Sequence, residues 1–204
     1  MQTHSQACQD IFAYAMLRKK SGTKTYLELG ASHPTLNNNT FMLEKAGWDG
    51  ASIDIYDYRQ QFASDRKNLF IHADTTSLDF PYLIKSKPFF YNTIDYLSFD
   101  VDEATEKTFA RFPLDLVRFN TITFEHDVYR VGPELRDMVR DNFLRRGYQL
   151  VCADVVCPGY GAFEDWWVYP SADVDMDLVN KITCSNVECG AIASMIQAAV
   201  VGGW

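Results

Sequence analysis

The 204-residue sequence predicts an α/β fold: a three-layer sandwich around a mostly parallel, seven-stranded sheet that ends in a C-terminal antiparallel hairpin. Three observations carry this expectation. Short apolar runs of strand length alternate with segments whose apolar residues recur at helical spacing. The run TYLEL at 25–29 stops at Gly30, and the next run ends at an acid, Asp54. Strand, glycine turn, helix, strand, acid is the first half of a Rossmann-like nucleotide site. Finally, the β-rich runs 148–156 and 163–169 are joined by a Pro/Gly loop, CPGYGA, which reads as a hairpin. Crossovers between the earlier strands are right-handed, so those strands run parallel under a cover of helices.

The elements follow in order. Residues 4–20 read as an amphipathic helix with Ile11, Phe12, Ala15, Met16 and Cys8 on its apolar stripe, ended by Ser21-Gly22. Strands are expected at about 25–30, 51–55, 68–73, 94–100 and 119–125. A helix at 36–47 separates the first two, and a helix at 132–146 is closed by Gly147. No internal repeat or linker interrupts the chain. The sequence is therefore read as one domain, 1–204, with an N-terminal helix (1–22), a core (23–170) and a C-terminal extension (171–204). The apolar run 191–201 is too short to span a bilayer, so no membrane partner is expected. It suits a helix packed on the domain or on a second copy in a homodimer.

Composition narrows the function. Hydrophobic residues make up 47% and charged residues 23%, which is the balance of a globular chain. A net charge of −8 argues against a nucleic-acid groove, which needs clustered Lys and Arg. The basic clusters Arg18-Lys19-Lys20 and Arg145-Arg146 fall at helix ends, where they complement the dipole. Five cysteines, an odd count with no signal-peptide pattern before them, point to a reduced, cytoplasmic setting. Cys152/Cys157 and Cys184/Cys189 share one spacing, but zinc knuckles prefer C-x₂-C, so buried thiols are the expected reading.

In an open α/β sheet, ligands bind beyond the carboxyl ends of the strands. Glu28, Gly30, Asp54, Asp74, Asp100, Asp102, Glu125 and His126 come from five strands and share that edge. A dinucleotide would want G-x-G-x-x-G to cradle its pyrophosphate. Here Gly30 is followed by Ala31, Ser32, His33 and Pro34. A ligand with a ribose and no phosphate, such as S-adenosylmethionine, escapes that demand. The expected cofactor-binding residues are Glu28, Gly30, Ala31, Ser32, Asp54, Ile55, Asp74 and Asp100. Asp54 would take the ribose hydroxyls, Asp74 the adenine amino group, Asp100 the methionine end and Glu28 the ammonium. His126 has the intrinsic pKa of a general base, with Glu125 or Asp102 to orient it. Asp100, Asp102, Glu125, His126 and Asp127 could also hold magnesium or manganese. Strand-end acids serve equally as caps and cofactor ligands, so no metal is assigned. In Trp166-Trp167 the rings point to opposite faces, one into the core and one free to wall an acceptor pocket with Tyr56, Tyr58, Tyr91 and Tyr160.

The segment 27–47, LELGASHPTLNNNTFMLEKAG, resembles the opening of FkbM-type methyltransferases, in which E-[LI]-G leads to N-T-x-x-L-E and then G-W-x-G. Asn39-Thr40, Leu43-Glu44 and Gly47-Trp48-Asp49-Gly50 stand in those places. IDYLSFD at 94–100 is similar to the family's fourth strand, and ITFEHD at 122–127 and FEDWWV at 163–168 resemble later ones. The likeness runs from about 24 to 170. It implies S-adenosylmethionine as methyl donor and a hydroxyl on a small molecule or glycan as acceptor. His33-Pro34 and the ending Asp100-Val-Asp102-Glu103 depart from the family's pattern, which carries more glycine in the first loop and an E-G step at the second place. Two other readings use the same strand-end acids or the same sheet: a metal-dependent hydrolase or transferase acting on a sugar or nucleotide, and a non-catalytic relative of the fold.

Overall fold

The computed structural model describes residues 2–90 and 92–200. The chain runs α1 (Gln9–Met16), β1 (Thr25–Leu29), α2 (Phe41–Lys45), β2 (Asp49–Asp54), α3 (Arg59–Asp65), β3 (Leu69–His72), α4 (Phe80–Ser86) and β4 (Thr93–Phe99). A 3₁₀ turn (Asp102–Ala104) leads to α5 (Thr105–Phe109), β5 (Arg118–Glu125), α6 (Val128–Val131), α7 (Pro133–Arg145), β6 (Gln149–Cys157), β7 (Gly161–Val168), α8 (Met176–Ile182), β8 (Cys184–Ser185) and α9 (Cys189–Ala199).

The strands form one sheet in the order β3-β2-β1-β4-β5-β7-β6-β8. β7 is antiparallel to both its neighbours, and every other pairing is parallel. The hairpin is as expected, but the sheet has eight strands, not seven. β8 is two residues long, and a period of two needs more residues than that to be visible. The strand order reverses between β1 and β4, which opens a crevice at their carboxyl ends.

Two apolar layers sandwich the sheet. Phe12, Met16, Tyr26, Tyr96, Trp166 and Ile192 pack on one face. Leu27, Leu97, Phe99, Phe124, Phe143 and Trp167 pack on the other. Adjacent residues of one strand divide between the layers because side chains alternate across a strand. Trp166 and Trp167 do face opposite ways, yet both are wholly buried, against Phe12 and Phe143 respectively. Neither forms a pocket wall. α9 seals one layer with Ile192, Ala193 and Ile196 and packs on α1, α8 and β6 of its own chain. The last residue of the expected 191–201 run lies outside the described residues. No described helix is long and apolar enough to cross a membrane.

Two helices are shorter than their periodicity suggests. The Asp10 carboxylate accepts from Thr3 Oγ1, His4 N and Ser5 Oγ at 2.7–2.8 Å, so residues 3–8 fold into a turn ahead of α1. Cys8 then takes a left-handed conformation, φ 64°, which stops the helix from extending back to residue 4. The 36–47 helix shrinks to α2 because Asn38 Oδ1 accepts from Thr40 N and Phe41 N and holds its own loop non-helical.

Candidate functional site

A cavity of about 540 Å³ opens beyond the carboxyl ends of β1 to β5. Gly30 and Ser32 reach it from β1, Asp54 and Ile55 from β2, Asp74 from β3, Asp100 and Asp102 from β4, and Glu125 from β5. The sheet order places these strand ends side by side. Glu28, Ala31 and His126 are not among its lining residues.

The first loop is built on backbone contacts. Gly30 N and Ala31 N both donate to Ile53 O, at 2.9 and 3.1 Å, and Asp100 N donates to Leu29 O at 3.0 Å. Gly30 has φ +80°, and a Cβ there would stand 1.5 Å from the Asp100 carbonyl oxygen. The glycine is required by the close approach of two protein backbones, beyond any contact with a ligand. Ser32, also left-handed, donates its N–H to Asp54 Oδ2 at 2.7 Å. Tyr56 N donates to Asp54 Oδ1 at 2.7 Å. Asp54 thus stitches the loops after β1 and β2, and each of its oxygens keeps a further lone pair.

Glu28 lies beneath this loop, 1% exposed. It accepts from Ser52 Oγ (2.6 Å), Thr40 Oγ1 (2.8 Å), Asn39 N (3.0 Å) and Asn38 Nδ2 (3.3 Å). It organises the loop and does not reach the cavity. Arg66, unremarked in the sequence, completes the support. Its five N–H groups reach Glu44 Oε2, Pro34 O, Asn38 Oδ1, Tyr26 Oη and Thr40 Oγ1, at 2.6–2.9 Å. His33 turns inward on its own loop, where Nδ1 accepts from Thr35 N and Leu36 N.

At β4 and β5, burial and neighbouring acids push the carboxyls of Asp100 and Glu125 upward, and the two share a hydrogen bond. Burial also raises Asp102, which sits at the exposed rim with Arg130 4.0 Å away. Asp127 has Oδ2 held by Arg130, while its buried Oδ1 meets no donor. Tyr129 and Tyr160 pair at 6.2 Å at the mouth, and Tyr56 and Tyr58 line the same cavity. The expected wall residue Tyr91 lies outside the described residues. The sequence reading missed Gln6, Tyr129 and Arg130 as lining residues. For Gln6 no signal existed, because residues 4–8 read as helix.

These shifts predict a pH dependence. Burial raises Glu28, Asp100, Glu125 and Glu164, so the folded chain holds protons that the unfolded chain has lost. Their stabilisation is present below the ordinary carboxylate range and is lost as pH rises above it toward the folded values. Burial alone would raise Asp165 and Asp175 too, but Arg140 and Lys19 bring them down, and their contribution is lost in acid. The melting temperature is expected to be higher at pH 5.5 than at pH 8.5. A scanning-calorimetry series that rises over that interval would contradict the protonated cluster.

His126 lies outside the larger cavity but lines a smaller, adjoining pocket together with Asp102, Glu125 and Asp127. Glu125, the last residue of β5, reaches both the cavity and that pocket, and His126 follows it just past the strand end, 1% exposed. There its Nε2 is 3.4 Å from Asp165 and 3.9 Å from Asp154, and its Nδ1 accepts from Val128 N. His126, Asp154 and Asp165 have the spacing of a metal site. Arg140 already grips Asp165 in a two-pronged pair at 2.7 Å, and Arg136 and Arg140 both bind Asp154. The negative charge is balanced within the protein.

No protein-family model matches the chain, and no curated protein matches it. Solved structures do. The chain is similar to an rRNA methylase from Streptococcus thermophilus, with a TM-score of 0.51 and 11% identity over 84% of this chain and 99% of that one. It is also similar to a Staphylococcus aureus protein assigned as a caffeoyl-CoA O-methyltransferase, with a TM-score of 0.52 and 11% identity over 83% of this chain and 86% of that one. At such identity the likeness establishes the fold, the Rossmann-like α/β fold of methyltransferases.

Proposed function

We propose that this protein is an S-adenosylmethionine-dependent methyltransferase acting on a hydroxyl of a small molecule or glycan. The observation that carries the reading is the loop pair joined by Asp54, which opens onto a donor-sized cavity at the switch point. The residues fit the donor. A volume of about 540 Å³ lies within the usual range for small-molecule sites. The acidic walls suit a ligand with an ammonium, a sulfonium and no phosphate. Asp54 has lone pairs left for two ribose hydroxyls. Exposed Ile55 offers apolar cover, Asp74 an acceptor for the adenine amino group, and Asp100 a partner for the methionine end. Glu28 and Ala31 act from behind, by shaping the loop. The resemblance of segment 27–47 to the opening of FkbM-type enzymes supports the same assignment.

When bound, S-adenosylmethionine supplies a methyl group on a positively charged sulfur. The chain's own residues must align the acceptor and take its proton. We assign this to Asp127: Arg130 holds its Oδ2, and its buried Oδ1, which has no donor, would accept from a hydroxyl seated against it. Glu125, which shares a proton with Asp100, acts as a hydrogen-bond donor. Asp102 contributes at the rim, and His126 shares the adjoining pocket with it and Glu125, where it would orient the β5 end. Tyr129 and Tyr160 can stack on a ring or a sugar face at the mouth. A phosphate backbone would meet these acids with Arg130 as the cationic side chain among the lining residues, so a small acceptor is favoured over a nucleic acid.

S-adenosylhomocysteine is expected to raise the melting temperature by mass action. Asp54→Ala should remove most of that shift, weakening binding by roughly 1–3 kcal/mol for lost partners. An equal shift in the variant would remove Asp54 from the ribose site.

A further inference from the structure

The smaller pocket beside the donor cavity carries a charge that the donor does not account for. Its volume is about 260 Å³, and it shares Asp102, Glu125, Asp127 and Arg130 with the larger cavity. A ligand seated in it would stand next to the proposed donor. Glu103, Glu106 and Glu134 add further carboxyl groups from the 3₁₀ turn, α5 and the start of α7.

Arg130 is the guanidinium among these lining residues, and it is already engaged. It holds Asp127 Oδ2, donates to Glu103 Oε1 at 2.7 Å and stands 4.0 Å from Asp102. Burial, and then the neighbouring Glu103, still push the Asp102 carboxyl above its ordinary range. Among the described residues no ion pair reaches Glu106 or Glu134.

A second observation is independent of this charge. Asp127 is 5% exposed, and its Oδ1 has no donor. A buried acceptor where two cavities meet is thus left for a donor on a ligand. Exposed Val131 and Met138 add apolar surface to the smaller pocket. Tyr129 and Tyr160 pair at the mouth of the larger one, and such ring faces attract cations. A neutral ligand would leave these carboxylates without a counter-charge, and an anionic one would be repelled.

We propose that the smaller pocket binds a protonated amine, so that the methyl acceptor is an amino sugar or a related amino alcohol. Its hydroxyl meets Asp127, and its ammonium lies among Asp102, Glu106 and Glu134. The protonated amine has no lone pair to take a methyl group, so the hydroxyl remains the acceptor. The role of the hydroxyl rests on the methyltransferase reading, whereas the ammonium site rests on the pocket alone.

The test titrates the full chain by calorimetry with protonated glucosamine, N-acetylglucosamine and glucuronate at low ionic strength, with and without S-adenosylhomocysteine. Glucosamine is expected to bind about tenfold more tightly than N-acetylglucosamine, which keeps the ring and loses the charge. Glucuronate should bind more weakly still. A double variant, Glu106→Gln with Glu134→Gln, should lose about tenfold in glucosamine affinity and keep its affinity for S-adenosylhomocysteine. Both acids also suit the N-terminal ends of their helices. A merely structural role would lower the melting temperature and leave glucosamine affinity unchanged. Equal binding of glucosamine and N-acetylglucosamine, no binding of any of the three, or unchanged glucosamine affinity in the double variant would each overturn the proposal. A preference for glucosamine without S-adenosylhomocysteine binding would support the ammonium site and remove the methyltransferase reading. The three-probe comparison on the native chain decides even if the variant folds poorly.

Discussion

Arg66→Met is expected to cost about 3–5 kcal/mol, the usual penalty for removing one partner of a buried ion pair. For a chain of this length that lowers the melting temperature by roughly 6–20 °C. The Arg66 side chain is fully buried, and its guanidinium satisfies β1, the first loop and α2 together. Methionine fills similar volume, yet it leaves the Pro34 carbonyl without its donor and Glu44 Oε2 without its ion-pair partner. Arg66→Lys should fare little better, because three rotatable donors cannot replace a five-donor fork. Thermal unfolding followed by circular dichroism reads both. A loss below about 1 kcal/mol, the range of an exposed pair, would mean that the loop does not depend on this side chain.

Gly30→Ala should be comparably damaging, for a different reason. The left-handed backbone alone costs about 1–2 kcal/mol for a residue with a Cβ. The added atom would then overlap the Asp100 carbonyl, and neither backbone has a side-chain rotation to relieve it. A total above about 4 kcal/mol is expected, a size that strained backbone and overpacking reach together. Gly22→Ala is the control. It has φ +79° and nothing within 4 Å, so it should lose about 1 kcal/mol. Chemical denaturation of the two variants compares them directly. Equal losses would show that the close approach of β1 and β4 can relax.

Periodicity exposed the sheet well, because buried parallel strands read as apolar runs that end at polar residues. The hairpin was legible from CPGYGA, and β7 is accordingly the antiparallel strand. β8 was invisible because two residues carry no pattern. The site was legible as a set of strand ends, but not as a set of side-chain directions. Glu28 belongs to the expected edge, yet it faces a supporting network. Whether a residue at a strand end points into the crevice depends on its parity along the strand and on the sheet's twist. Gln6 and Arg66 depend on contacts across 20 to 160 residues of chain, which no local spacing encodes.

The proposed donor site lies at the carboxyl ends of β1, β2 and β4. The most direct test is isothermal calorimetry of the native chain with S-adenosylhomocysteine. Saturable heat at one molecule per chain is expected, with a dissociation constant below about 1 mM, the upper end of ordinary substrate affinities. No saturable heat at millimolar ligand would contradict it and leave the sheet without its donor.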